Sequence, residues 1–171
     1  MITTDLSILR KKNEKVNPEE MSELINKLEY ELLNSPNHGV GLAAPQIGIN
    51  KSIAIVRINI NGQKENIDLV NPKIIDYKYP IINMGEGCLS FPDKSFNTQR
   101  YKEIVIIDDL HPSGFVALEF VSLVLQHETD HVDGILITDR ALGNKIGRND
   151  PCPCGKIINN KVVKFKHCHG K

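Results

Sequence analysis

The sequence contains no tryptophan and few aromatic residues, and none of its apolar runs approaches the roughly 20 residues that a membrane-spanning helix needs. Residues 1–15 mix acidic and basic side chains and have no apolar centre, so they do not resemble a secretory signal. These absences exclude the membrane classes, and we expect no membrane partner and a cytoplasmic location.

The net charge is zero, but the charge is unevenly distributed along the 171 residues. Hydrophobic residues make up 40% and charged residues 25%, which is typical of one globular domain with a small appendage. Residues 141–171 hold seven basic residues and one acidic residue. This surplus predicts either a solvated tail or a tail that meets an anionic partner such as RNA, and we expect no specific DNA partner.

The hydrophobic pattern predicts two helices separated by strands. Residues 18–34 carry apolar side chains at helical spacing, with Asn17 as N-cap and Pro18 at the first helical position. A second, more apolar helix begins near residue 119 and ends at Gly134. Strands are predicted over residues 52–60, 66–70, 73–77, 80–85, 101–108 and 115–118.

The composition changes near residue 141, where glycine, proline and asparagine become frequent. We therefore predict a domain over residues 1–140 and a separate tail over residues 141–171. The fold class is α+β, with antiparallel strands packed around a central helix and a small C-terminal module.

The second helix carries the pattern H-E-x-x-H at His127, Glu128 and His131. Residues four apart lie on one helical face, so the two imidazoles can bind one divalent metal. The metal lowers the pKa of its water to about 7 in favourable sites, and a neighbouring carboxylate can accept and return the proton. The pattern therefore predicts a metal-dependent hydrolase.

Two histidines leave a catalytic site incomplete, because such sites usually have three protein ligands. Residues 137–139 contain no histidine, so the third ligand must come from another part of the chain. Cys88 is the strongest candidate outside the tail, although a single cysteine is equally compatible with a small buried core residue.

Three segments together resemble the peptide deformylase family: GVGLAAPQIG at 39–48, EGCLS at 86–90 and QHETDH at 126–131. The resemblance covers roughly residues 5–140 and implies the deformylase fold. It implies removal of the formyl group from the N-terminal methionine of nascent peptides, with release of formate. It also implies Fe²⁺ as the native metal, with Zn²⁺, Ni²⁺ or Co²⁺ as substitutes.

The resemblance assigns roles to individual residues. The implied metal ligands are Cys88, His127 and His131, with Glu128 as general acid/base and Gln46 and the backbone N–H of Leu89 as oxyanion donors. The implied substrate-binding residues are Val40, Gly41, Gly87, Phe120, Leu123 and Val124, although the four apolar ones could equally be core. Glu86 and Arg100 correspond to a supporting ion pair, for which an ordinary surface pair is the alternative.

Two other functions remain open at this stage. A zinc endopeptidase shares H-E-x-x-H but has no need of Cys88 or Gln46. A binding protein that kept the metal and lost turnover would have no need of Glu128.

The tail contains GRNDPCPCG at residues 147–155 and KHCHG at 166–170, which together resemble the small zinc-binding SEC-C motif. The resemblance implies a second, structural Zn²⁺ held by Cys152, Cys154, Cys168 and His169, with His167 replacing His169 if the register shifts. The alternative is an unstructured tail. We expect the tail to recruit a partner, such as the ribosome or a nascent-chain factor.

Overall fold

The computed structural model describes residues 1–35, 39–60, 62–142, 148–149, 157–158 and 161–167. The helices are α1 (Leu6–Leu9), α2 (Pro18–Leu33), α3 (Glu119–Val132) and α4 (Ile137–Arg140), with 3₁₀ turns at Ala44–Ile47 and Phe165–His167. The strands are β1 (Gly41–Ala43), β2 (Ile53–Ile60), β3 (Gln63–Val70), β4 (Lys73–Gly87), β5 (Ser95–Ile107), β6 (Phe115–Leu118), β7 (Ile157–Ile158) and β8 (Lys161–Val162).

The first sheet is antiparallel in the order β1–β2–β3, and α2 packs against it. The helix starts where the sequence predicts, because Pro18 occupies its first turn and the Glu20 carboxylate accepts the backbone N–H of Asn17 at 3.0 Å. Its buried face consists of leucines one turn apart, Leu24, Leu28 and Leu32. The predicted helix over residues 18–34 is confirmed to within one residue.

The second sheet is antiparallel in the order β4–β5–β6. The prediction of two strands over residues 73–77 and 80–85 was wrong, because β4 runs without a break from Lys73 to Gly87. Register shifts at Ile74/Asp76 and Asn83/Glu86 interrupt the two-residue alternation on which the prediction depended. Pro80 fits within the strand because β4 is an edge strand.

Helix α3 contacts both sheets, and its polar side chains fix its position. The Gln126 side chain bonds the backbone of Tyr101 on β5 twice, accepting its N–H at 3.0 Å and donating to its carbonyl at 2.7 Å. Ser122 Oγ donates to the same carbonyl at 2.9 Å. The helix ends before Gly134, whose φ of +72° is the left-handed geometry expected of a helix stop.

The predicted α+β arrangement, with antiparallel sheets around a central helix, is therefore confirmed. Among the residues described, no helix combines the length and apolar character needed to cross a membrane. The predicted tail ligands Cys152, Cys154, Cys168 and His169 lie outside the described residues.

Candidate metal centre

A cavity of about 580 Å³ opens between the edges of the two sheets, with α3 as its floor. Its walls include the loop and strand around β1, the end of β4 and the loop that follows β4. All six predicted substrate-binding residues line this cavity: Val40, Gly41, Gly87, Phe120, Leu123 and Val124. Val124 also belongs to the buried core, whereas Phe120 is half exposed at the cavity rim and is not a core residue.

Three potential metal ligands converge on this cavity floor. His127 and His131 lie one turn apart on α3, with their Nε2 atoms 3.2 Å apart. Cys88, in the residue position after β4, places its Sγ 3.2 Å from Nε2 of His131. One donor atom from each of the three residues lies within 4.8 Å of the others. The structure thus brings together the three ligands that the sequence predicts.

Glu86 orients the first histidine. Its Oε1 lies 2.7 Å from Nδ1 of His127, which leaves Nε2 free to face the cluster. Arg100 binds the same carboxylate with two N–H groups, at 2.6 and 2.9 Å. Arg100 is only 2% exposed, so the alternative of an ordinary surface pair is wrong. Although burial acts in the opposite direction, Arg100 and His127 hold the pKa of Glu86 below its usual range.

Glu128 lies on the turn between the two histidines and is buried beneath β1. Its Oε2 has no hydrogen-bond partner among the residues that the structure describes. Burial raises the pKa of Glu128 to about 7, because a charged carboxylate is disfavoured away from water. A Cβ atom at Gly41 would overlap Oε1 of Glu128, so a larger residue there would force the carboxylate of Glu128 to move.

Gln46 is also buried at the cavity wall, in the 3₁₀ turn after β1. Its Oε1 accepts the N–H of Ala43 at 2.9 Å, which fixes the orientation of the amide. Its Nε2 therefore points toward Ser90 Oγ, at 3.4 Å, and Cys88 Sγ, at 3.7 Å. A neutral donor is held beside the ligand cluster, and Leu89 lines the cavity next to it.

The sequence analysis missed two charged residues that support this site. Asp130 accepts Arg100 Nη1 at 2.5 Å, and Arg140 on α4 binds the other side of the Asp130 carboxylate at 2.6 Å. Asp130 lies inside the QHETDH segment, and its place in that segment could have marked it as a residue of the site. Arg140 is separated from that segment by eight residues and gave no local signal.

The donor set fits a divalent metal. Tetrahedral nitrogen and sulfur ligands at about 2.0–2.3 Å from one ion lie about 3.3–3.7 Å apart, close to the spacing of the three donor atoms. Burial lowers the pKa of His131 well below its ordinary value and keeps it neutral, the form that binds metals. Burial acts the same way on His127, but Cys88 and Glu86 outweigh it and raise the pKa of His127 well above its ordinary value. Burial therefore favours a neutral His131, whereas Cys88 and Glu86 favour positive charge at His127.

An α+β fold with two imidazoles, a cysteine thiol and a buried carboxyl group on the floor of a cavity defines a metal-dependent hydrolase-type protein. Within that class, the chain belongs to the polypeptide deformylase family, whose model matches residues 1–146. A peptide deformylase from Prochlorococcus marinus (strain MIT 9312) is 36% identical over 139 residues, which cover 78% of this chain and 68% of the relative. One from Heliobacterium modesticaldum is 41% identical over 105 residues, which cover 60% of this chain and 66% of the relative.

Solved structures show the same fold. A probable peptide deformylase from Synechococcus phage S-SSM7 superposes with a TM-score of 0.71 at 35% identity, covering 82% of this chain and 98% of that one. A class I type b peptide deformylase from Acinetobacter baumannii with Met-Ala-Ser bound gives 0.69 at 27% identity, covering 82% and 96%. The Synechococcus elongatus enzyme in complex with actinonin gives 0.73 at 28% identity, covering 84% and 80%.

Proposed function

We propose that this protein hydrolyses the formyl group from the N-terminal methionine of nascent peptides and releases formate. The observation that carries the proposal is the buried Glu128 carboxylate beside the Cys88–His127–His131 cluster, at the floor of a cavity open to a peptide. Membership of the deformylase family supports the same reaction. The Met-Ala-Ser found in the Acinetobacter baumannii enzyme is a peptide of the kind that such hydrolysis leaves.

The proposed ligands are Cys88, His127 and His131, and the ion they hold supplies Lewis acidity, which polarises the formyl carbonyl and makes water a stronger acid. Glu128 accepts a proton from the attacking water and passes it to the leaving amine. Gln46 Nε2 and the backbone N–H of Leu89 donate to the oxygen on which negative charge develops, and neither donor has to reorganise.

The substrate is proposed to bind as an extended strand. Both β1 and β4 are edge strands, and the cavity runs along them at Gly41 and Gly87. Free backbone N–H and C=O groups at such edges bind extended peptides by strand addition. The apolar wall formed by Val40, Phe120, Leu123 and Val124 suits the methionine side chain.

The test is formate release from formyl-Met-Ala-Ser by protein purified without oxygen. We expect formate with Met-Ala-Ser as the only peptide product, and no turnover of acetyl-Met-Ala-Ser. Absence of formate would overturn the proposal, and fragments cut at internal peptide bonds would instead support the zinc endopeptidase. Assays with Fe²⁺, Zn²⁺, Ni²⁺ and Co²⁺ in turn test Fe²⁺, the metal we propose as native.

For the tail we propose a separate module over residues 141–171, with a structural Zn²⁺ held by Cys152, Cys154, Cys168 and His169. In the part of the tail that the structure describes, β7 and β8 form an antiparallel hairpin. The N–H of Lys166 donates to the carbonyl of Arg148 at 2.9 Å, which supports an approach of the two segments that lead into the cysteines. So short a module needs a metal to fold.

Metal analysis of the full chain tests this zinc. The double variant Cys152→Ser/Cys154→Ser should lose one Zn²⁺ per chain and keep both the metal bound by Cys88 and formate release. Unchanged zinc content would contradict the module, and His167→Ala compared with His169→Ala distinguishes the two candidate fourth ligands.

We propose that the basic tail brings the enzyme to the ribosome or to a nascent-chain factor, and that the protein acts in the cytoplasm, where formylated chains emerge. Seven basic residues in the tail suit the phosphates of ribosomal RNA. Co-sedimentation with ribosomes at low salt should fall when residues 144–171 are deleted. Equal co-sedimentation of the deleted chain would refute this partner.

A further inference from the structure

A chain of buried charges runs from the metal cluster to the protein surface. Its inner end is the Glu86 carboxylate, which contacts Nδ1 of His127 and accepts two N–H groups of Arg100. Thr98 Oγ1, at 2.5 Å, and Asn83 Nδ2, at 3.0 Å, complete the contacts of Glu86. The position of this carboxylate therefore decides how the His127 ring is held, and Arg100 decides the position of the carboxylate.

Arg100 is shared between two carboxylates. Its Nε and Nη2 donate to Glu86, and its Nη1 donates to Asp130 Oδ2 at 2.5 Å. The side chains of Glu86 and Asp130 are 9% and 10% exposed, and that of Arg100 is 2% exposed. One buried guanidinium opposes two buried carboxylates, and an uncompensated charge in this position is costly.

Arg140 supplies the missing positive charge. From the end of α4, its Nη2 donates to Asp130 Oδ1 at 2.6 Å and its Nε to Oδ2 at 3.1 Å. Its side chain is 40% exposed and does not line the cavity. With Arg140 included, two guanidiniums pair with two carboxylates in the network. Asp130 then has a second cationic partner and does not compete with Glu86 for Arg100.

We infer that Arg140 is a positioning residue for the metal centre, acting through Asp130, Arg100 and Glu86 on the imidazole of His127. The segment that carries it is attached next to the same carboxylate, because Leu142 N–H donates to Asn97 O at 2.7 Å beside Thr98. Without Arg140, Asp130 competes for Arg100, Glu86 is held less firmly, and His127 binds metal in a less defined orientation.

A neighbouring ion pair provides the matched control. Arg10 makes two hydrogen bonds to Asp139, at 2.8 and 2.9 Å, and so attaches the same four-residue helix to α1. Arg10→Ala removes an arginine that holds α4 but contacts no member of the buried network. A merely structural role of Arg140 in holding α4 predicts the same consequences for both variants.

The experiment uses the full chain carrying Cys152→Ser/Cys154→Ser as its parent, so that the proposed tail site does not bind the ion, loads it with Co²⁺ and follows release to a chelator by the visible absorption of the thiolate-bound ion. Loss of a group that orients a metal ligand typically weakens binding 10–100-fold, and for this more distant residue we expect release about tenfold faster in Arg140→Ala. Arg10→Ala should stay within about twofold of the parent, and Arg140→Lys should fall in between because lysine keeps the charge but not the two-point contact. The cobalt spectrum should change in Arg140→Ala and not in Arg10→Ala.

Equal release from the two alanine variants, or parental release and spectrum in Arg140→Ala, would overturn the inference. If Arg140→Ala does not fold, Arg140→Lys tests the inference instead. Release of Co²⁺ from Arg140→Lys at the parental rate would then contradict the inference. The inference rests on the proposed metal centre, and the two failures are distinguishable. A parent chain that binds no Co²⁺ refutes both, whereas normal binding with no effect at Arg140 refutes only its positioning role.

Discussion

Helices α2 and α3 are both packed against sheets, yet they bury different kinds of side chain. The buried residues of α2 are leucines alone, spaced one turn apart. Those of α3 include six polar residues: Ser122, Gln126, Glu128, Thr129, Asp130 and His131. Apolar burial stabilises a fold without regard to direction, whereas buried polar groups disfavour folding unless their partners are in place. We conclude that α2 serves stability and α3 serves the site.

The polar residues of α3 differ among themselves in how well they are paired. Gln126 makes two bonds to Tyr101 on β5, and Asp130 pairs with Arg100 and Arg140 on other elements, and these contacts place the helix. For Glu128 Oε2, no partner lies within the described part of the chain. A buried, unpaired polar group destabilises the fold, and next to a cavity it is retained for function. We therefore expect the substitutions that lower stability and those that lower activity to fall at different residues of these helices.

The largest difference between the effect on activity and the effect on stability is expected at Glu128. Glu128→Ala should lower kcat for formate release by about 10³-fold, since general acid–base groups contribute 10²–10⁴-fold. The unfolding free energy should change by less than about 1 kcal/mol, because the removed carboxylate is poorly paired. Steady-state kinetics and urea unfolding measure the two quantities, and unchanged metal content is the control. A kcat within tenfold of the parent would remove Glu128 from the mechanism.

Leu28 should show the opposite behaviour. Leu28→Ala removes a side chain with 0% exposure from the α2 core and should cost about 2–5 kcal/mol of unfolding free energy. Since α2 contributes no residue to the cavity lining, kcat of the folded fraction should remain parental. Leu33→Ala, on the same helix but 84% exposed, is the matched control, with an expected change below about 0.5 kcal/mol. A comparable loss at both leucines would refute the account of the buried face.

Gln126 is intermediate between Glu128, which should affect activity, and Leu28, which should affect stability. Its bonds to Tyr101 both stabilise and position α3. Gln126→Ala leaves the Tyr101 N–H without its partner and should cost about 1–3 kcal/mol in urea unfolding. Ser122→Ala removes one of the donors to the same carbonyl and should cost about 1 kcal/mol. Equal losses in the two variants would show that the two-point contact of Gln126 has no special part in docking α3.

The sequence predicts the regular elements well where one local pattern decides them. Helix α2 follows from apolar residues at helical spacing after the N-cap Asn17 and Pro18, and α3 follows from its apolar first half and Gly134. The long strand β4 could not be predicted, because its register shifts and Pro80 break the alternation that marks a strand. The strand is continuous because β5 pairs along its length, and that pairing is tertiary information.

The residues of the site also divide into those that a local sequence pattern predicts and those that only the tertiary structure reveals. Cys88, His127 and His131 could be predicted because each lies in a short segment that resembles one family. Gly41 was expected to bind substrate, and only the structure shows that its backbone also passes close to Glu128. The balancing charge of Arg140 depends on contacts among α3, α4 and both long strands, and no local pattern encodes such a network.

The smallest effect is expected where an ion pair is exposed. The side chains of Arg10 and Asp139 are 46% and 38% exposed, so Arg10→Ala should lower the unfolding free energy at neutral pH less than any buried substitution above. The hydrogen bonds of Arg10 lower the pKa of Asp139 below its ordinary, unfolded-state value. The pair therefore contributes fully above that unfolded-state value, and its contribution is lost as the pH falls through the lower folded-state value. Urea unfolding from pH 7 downward should show a constant difference between variant and parent that shrinks only below about pH 4. If Arg10→Ala lowered the unfolding free energy at pH 7 as much as Gln126→Ala, the exposed ion pair would hold α4 as firmly as the buried contact holds α3. That result would contradict the contrast between exposed and buried contacts.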